Sequence, residues 1–514
     1  MKLQSGDIIR ILSRINLTIL TLALLVIGVT LAQDAPKMKM TTETPPDLVT
    51  PNKIDTRIGE LKFFDGNPDK ETVQKVYDYL DFQRGVDVFL NAMPGASLYA
   101  MREGLRSVGV NNHTVVVFET LMDSKSLFLT PNTDTVYLVG WLDLKEGPLV
   151  VESPPNTLGI LDDFWFRYVT DMGNAGPDKG KGGKFLVVPP DYKGEIPAGY
   201  FVAKSRTYGV WLISRGFLVN KDPKPAVESF KKNMRIYPLS QAANPPETNF
   251  INASGKYFNT IHSSNEKFYE EVNAIVQEEP TEAQDPELLG QLLGIGIAKG
   301  KPFVPDERMK KILHDAAAVG NATSRAIEFS SREQGGAYYY PGKSWYSPSN
   351  PDGSYLWLQD GARNLDARTM MFFGYTGVTP AMFMKMVGIG SQYAVASIDS
   401  DKNPLNGGKS YKLHLPPNVP AKTFWSVVVY DTQTRSELQT DAQFPSLGSQ
   451  SADIKKSADG SYDVYFGPAT PAGQAGNWVQ TVPGKAWWVI LRLYGPLEPW
   501  FQKTWQPGEI ELIK

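Results

Sequence analysis

The sequence predicts a mixed, β-rich α+β protein: two antiparallel β-sandwich or jelly-roll-like domains joined by a helical connector. Three observations carry this. Short β-branched and aromatic runs, broken by Gly, Pro, Asn and Asp, fill residues 114–220 and return beyond residue 388. Between them the apolar period becomes that of amphipathic helices. Glycine (45), proline (38) and an 11% aromatic share favour turns and aromatic-rich sheets over a helical bundle.

The N-terminus comes first. Lys2, Arg10 and Arg14 precede the apolar run INLTILTLALLVIGVTLA, which ends at Ala32 with small residues at Thr30 and Ala32. This pattern over residues 1–32 fits a cleaved secretory signal, with an uncleaved anchor as the alternative. A periplasmic or extracellular location follows, and membrane contact is expected only if the segment stays attached. Residues 33–65 are rich in Pro, Thr and charge and read as a leader or linker. From 66 to 220, two helices precede the first β-domain. Val73, Val76, Tyr77 and Leu80 keep helical spacing, Asp69 or Thr72 serves as cap, and Met93–Pro94 breaks the pattern before a second helix. Segments such as TVYLVGWLDL, PLVVESP, FWFRYVTD and VWLISRGFLV supply the strands. Residues 221–337 form the helical connector, where PDERMKKIL opens with Pro305 and Asp306 as an N-terminal signature. The second β-domain spans 338–514.

Several function classes are excluded. A net charge of −3 implies no broad basic surface for nucleic acid. The absence of cysteine removes disulfides, zinc–thiolate sites and a cysteine-linked lipid anchor. GIGIAKG has its third glycine one residue late for a dinucleotide loop, and Asn403 stands where a phosphate loop starting before Gly408 needs glycine. The four histidines are scattered. No cofactor is evident. Asp399, Asp401 and Asn403 give the D-x-D-x-N opening of a calcium loop, but Pro404 replaces the turn glycine and Ser410 the bidentate Glu. An Asx-rich hairpin is the main reading there and calcium the alternative.

Carboxylates and aromatics remain. Asp162, Asp163 and Asp171 flank FWFRYVT, which as a strand puts Phe164 and Phe166 on one face and Trp165 and Arg167 on the other. Trp211 and Arg215 also share a strand face. Rings beside carboxylates suit hydroxyl-rich ligands such as glycans, although core packing explains many rings as well. Arg492 lies in an apolar strand, where pairing with an acid is expected over lining a cleft. In TPNTDTVYLVGWLDL, Asn132 and Asp134 are good turn residues or members of a site.

TPNTDTVY, WLDLKEGPLVVESP, RYVTD and VWLISRGF resemble a bacterial family, domain of unknown function 1254. NGGKSYKLHLPP, FWSVVVYD and NWVQTVPGKAWWVILRLYGP resemble its C-terminal companion, domain of unknown function 1214. The resemblance covers nearly all of the chain after residue 70. It implies secretion, two β-sandwich-like domains and a polar signature at Asn132, Asp134, Thr135, Tyr137, Asp171, Trp425, Tyr430, Asp431, Asn477, Trp478, Arg492 and Tyr494. The glycine- and lysine-rich stretch after Asp178 departs from the pattern. The expected function is an enzyme or processing factor acting on a polar, hydroxyl-rich substrate. Asp134 and Asp171 would be acid–base or anchoring groups, and Arg167, Trp211 and Arg215 would belong to the binding face. The alternative is a non-catalytic glycan- or ligand-binding or envelope-assembly module. Neither reading fixes the oligomeric state.

Overall fold

The computed structural model describes residues 36–332, 337–348 and 354–513. The segment read as a signal or anchor lies outside the described residues, among which no helix is long and apolar enough to cross a membrane. The chain divides into two compact units, one ending at Val76 and the other running from Tyr77 to Lys514. The first unit contains an antiparallel meander of Lys53–Thr56, Gly59–Phe64 and Asn67–Pro68, where a linker was expected. Alternation in KIDT and GELKFF was too short to stand out from the surrounding polar residues. The helix Lys70–Asn91 begins there, with the Asp69 carboxylate accepting from the Thr72 amide at 2.7 Å.

The second unit is mixed α+β. A second helix, Met93–Ser107, starts at the Met93–Pro94 junction, since proline suits the first turn of a helix. In the first β-region a six-stranded sheet runs in the order Asn249–Asn252, Thr114–Val117, Thr135–Asp143, Gly209–Phe217, Thr157–Asp163, Tyr168–Gly173. A four-stranded sheet orders Phe201–Lys204, Gly183–Val188, Leu149–Ser153 and Arg235–Pro238. Both sheets contribute to one core, with Leu138 and Leu212 from the first and Val151 and Phe185 from the second. In the second β-region, Ser391–Ala396, Trp487–Pro496, Ala421–Asp431 and Ser446–Gly448 form one sheet. Trp478–Gln480, Tyr462–Gly467, Tyr411–Leu415 and Ile510–Leu512 form the other. Val427, Val429 and Leu491 pack with Leu413 and Phe466 between them.

The pleat sends alternate side chains the opposite way. Tyr137, Val139 and Trp141, and Trp211 and Ile213, leave the first core for a larger one. Val428, Tyr430, Trp488 and Ile490 leave the second core for the same place. This central core also takes in Phe268, Val272 and Ile275 of helix Lys267–Glu278 and Met371, Phe372 and Phe373 of helix Leu365–Gly374. Both faces of the central strands are therefore buried.

Two expectations are corrected. FWFRYVT is not one strand: a turn at 164–166 joins Thr157–Asp163 to Tyr168–Gly173, with Phe166 in the left-handed region at φ 57. Asp163 holds that turn, accepting from the amides of Trp165 at 2.9 Å and Arg167 at 3.1 Å. The connector is also not purely helical, because Arg235–Pro238 and Asn249–Asn252 complete the edges of both sheets of the first β-region.

Candidate functional site

The polar turn is the place to begin. Asn132 is fully buried, and its side-chain oxygen accepts from the Asp134 amide at 2.9 Å, the Thr135 amide at 3.0 Å and the Thr135 hydroxyl at 3.0 Å. Its amide nitrogen donates to the Tyr137 hydroxyl at 2.5 Å. Asn132 and Thr135 thus close the turn and fix where Tyr137 points. Asp134 points away from the turn. Its carboxylate accepts from Ser426 at 2.5 Å and from the Tyr494 hydroxyl at 3.5 Å, both in the second β-region. Tyr430 donates to the Pro131 carbonyl at 2.5 Å, and Thr133 and Ser446 pair at 2.6 Å. The turn joins the two β-regions.

Behind it lies a cavity of about 230 Å³ in the central core. Tyr137 comes from the Thr135–Asp143 strand, and Trp211, Ile213 and Arg215 come from one face of the Gly209–Phe217 strand. Tyr393 comes from the Ser391–Ala396 strand, and Ile490 and Arg492 from the Trp487–Pro496 strand. Tyr375, Met382 and Phe383 close one side, with Lys385, Phe501 and Lys503 at the exposed end.

Two arginines face this space, and both are almost fully buried (Arg215 9% exposed, Arg492 5%). Among the described residues neither forms an ion pair with a carboxylate, so the expected acid partner of Arg492 is absent and it lines the cleft instead. One Arg492 nitrogen donates to the Thr130 carbonyl at 2.7 Å, the Pro131 carbonyl at 3.3 Å and the Tyr430 hydroxyl at 2.7 Å, while its Nε is buried without a partner. Thr130 sits at φ 40, a costly conformation for a β-branched residue, and thereby aims its carbonyl at Arg492. Arg215 hydrogen-bonds the Tyr393 hydroxyl. Guanidinium stays protonated even here, so each is a buried positive charge.

Burial pushes the surrounding acids towards their neutral forms. Burial holds the carboxyls of Asp162 and Glu437 well above the ordinary carboxylate range. Burial raises Glu328 to about 8 despite hydrogen bonds from Tyr375 and Tyr346 and the charge of Arg435. Asp171 is pushed up to about 6 by burial, against bonds from Thr379 (2.6 Å) and Tyr168 (3.3 Å) and the charge of Arg215. Burial also raises Asp134, with Ser426 and Arg492 opposing. Tyr393 moves the other way. Burial disfavours its ionisation, but the charges of Arg215 and Arg492 outweigh burial and hold the hydroxyl below the usual tyrosine value. Its oxygen lies 2.5 Å from the Ser391 hydroxyl.

Residues 112–238 match the family described as protein of unknown function DUF1254, and residues 390–498 match protein of unknown function DUF1214. The DUF1254 match precedes the DUF1214 match along the chain. The VPA0106 protein from Vibrio parahaemolyticus has a similar crystal structure (TM-score 0.51, 21% identity, covering 84% of this chain and 99% of that one), which shows a shared fold. An uncharacterized protein from Burkholderia cenocepacia aligns over 86% of this chain and 97% of its own, with TM-score 0.36 and 11% identity. No curated protein matches the chain.

Of the residues singled out in the sequence, Tyr137, Trp211, Arg215 and Arg492 meet in the cavity wall between DUF1254 and DUF1214. Asn132, Asp134, Thr135, Tyr430 and Tyr494 stand directly behind it. Asp171 is tied to Thr379 and Tyr168, away from Asp134, so the two carboxylates do not converge as an acid–base pair in the cavity. The others lie elsewhere. Arg167 pairs with Asp163, and Trp425 packs in the DUF1214 core against Tyr462. Asp431 caps a turn at the Gln433 and Thr434 amides and pairs with Lys485. Asn477 bonds the backbone of Lys455 and Asp463, and the Trp478 indole donates to the Gly467 carbonyl. Asp399 Oδ1 accepts from the Asp401 and Asn403 amides at 3.0 and 2.9 Å, closing an Asx turn. Among the described residues no group of three or more His, Cys, Asp or Glu is placed to hold a metal ion.

Proposed function

We propose that the protein binds a small organic anion in the cavity between its DUF1254 and DUF1214 domains, each read as a β-sandwich. The observation that carries this reading is the pair of buried guanidiniums, Arg215 and Arg492, facing one cavity without an ion-paired carboxylate among the described residues. Taking a charge out of water costs several kcal/mol, and a protein keeps such a charge where a partner ion repays it. The Tyr137 and Tyr393 hydroxyls would supply further hydrogen bonds, and Trp211 a packing surface. The weight thus moves from carboxylates gripping a hydroxyl-rich substrate to arginines gripping an anion.

A second reading adds turnover. Tyr393, set between two arginines and hydrogen-bonded to Ser391, is poised to take a proton from the bound anion or give one to it. The apolar N-terminal run supports a periplasmic or extracellular site of action. The test is a thermal-shift panel on the purified full-length chain, setting carboxylates, phosphonates and sulfonates against neutral isosteres. Stabilisation by anions alone, lost in Arg492→Met, is expected. Equal shifts with neutral isosteres, or none across the panel, would refute the reading.

A further inference from the structure

The cavity combines charge with apolar surface. Arg215, Arg492, Tyr137 and Tyr393 line it, all buried. Its wall also carries Ile160, Ile213, Met371, Phe383, Ile490 and Trp500, interleaved with the polar side chains of Ser347, Thr376 and Gln392. The open end is marked by exposed Lys385 and Lys503, with Lys385 set 5.5 Å from the centre of the Phe501 ring and paired to Glu498 at 3.3 Å. The same chain segment, past Met382 and Phe383, exposes Met384 (46%), Val387 (41%) and Ile389 (47%). A compact polar anion would satisfy the arginines but leave this apolar wall without a partner.

Resting on the anion reading above, we propose that the ligand is a single-chain amphiphilic monoanion, its head group on Arg215 and Arg492 and its alkyl chain running along Ile213, Met371 and Phe383 towards Phe501. The volume sets the chain length. A cavity of about 230 Å³ holds roughly eight groups the size of a water molecule, each about 30 Å³. A carboxylate uses three of these, so about five methylenes fit inside. Longer chains reach the open end and pass onto Met384, Val387 and Ile389.

The test is a titration of the purified full-length protein with straight-chain carboxylates from butanoate to dodecanoate, read by tryptophan fluorescence from Trp211 and Trp500. Primary alcohols of equal length serve as uncharged controls. Affinity should rise about fourfold per methylene up to about hexanoate or octanoate and flatten beyond, since each buried methylene is worth about that factor. The alcohols should bind at least tenfold more weakly. Phe501→Ala, at a half-buried position in the wall, should reduce the gain per methylene while leaving butanoate affinity within about twofold. Carboxylates that bind with no dependence on chain length would overturn the amphiphile assignment and leave the anion reading standing. Alcohols that bind as tightly as the acids, or no binding by any probe, would overturn both.

Discussion

Replacing Arg215 with methionine should stabilise the empty protein while crippling its ligand affinity. Arg215 is 9% exposed and has no ion pair among the described residues, and its side chain engages the Tyr393 hydroxyl. Burying its charge costs several kcal/mol, and a charge-assisted hydrogen bond returns about 1.5–3 kcal/mol. The charge of Arg492 bears on the same Tyr393 hydroxyl. Methionine keeps the apolar stem, fills most of the volume and removes the charge. The net gain in unfolding free energy is expected at about 1–4 kcal/mol, by analogy with buried ion pairs replaced by packed apolar groups. Urea denaturation of ligand-free protein at pH 7 measures it. Octanoate affinity, measured on the same preparations, should fall roughly 10- to 150-fold for the loss of one charge-assisted bond. A variant destabilised by more than about 1 kcal/mol would show Arg215 to be a structural residue, and the reasoning would fail. Unchanged octanoate affinity would refute it from the other side.

Three further outcomes follow from the same geometry. Glu328 keeps its proton in the folded chain up to pH about 8, against 4.5 for an ordinary glutamate. Folded protein therefore binds more protons than unfolded in that window, and stability falls as pH rises through it, by about 5 kcal/mol at about 1.4 kcal/mol per pH unit. Glu328→Gln should flatten that decline, and denaturation at pH 4.5, 6.5 and 8.5 would reveal an unchanged slope if Glu328 titrates normally. Asp134→Ala strands the hydroxyls of Ser426 and Tyr494 and should cost about 1–3 kcal/mol in urea denaturation. Anion affinity should stay within about threefold, whereas a much larger loss would restore Asp134 to the site itself. Tyr393→Phe should weaken anion binding about 2- to 10-fold. It should also abolish the loss of affinity expected of the wild type as alkaline pH creates a phenolate beside the arginines, and a titration across pH 6–10 checks both effects.

How legible this was depends on the range of each interaction. Strand alternation exposed Trp211 and Arg215 as neighbours on one face, because two residues along a strand fix one direction. Asn132 and Asp134 were legible as turn residues for a similar local reason, and the Asn132 bonds to the Asp134 and Thr135 amides are local. That Asp134 reaches Ser426, nearly three hundred residues away, is a property of the packing of two β-regions and leaves no mark nearby in the chain. Arg492 was expected to meet an acid because a buried charge usually does, and instead it meets carbonyls, tyrosines and a cavity. Tyr393 escaped notice altogether: in SQYAVAS it is one aromatic in a strand, and only the convergence of Arg215 and Arg492 gives it chemistry. Glu328 was equally hidden, since a glutamate near the end of an amphipathic helix ordinarily faces water, yet here it lies fully buried between Tyr346 and Tyr375.

The most direct test is a crystal structure of the protein grown with octanoate. The expected result places the carboxylate oxygens within hydrogen-bonding distance of both Arg215 and Arg492, with the chain along Ile213 and Phe383 towards Phe501. A carboxylate bound elsewhere, with the two guanidiniums unengaged at saturating octanoate, would contradict it.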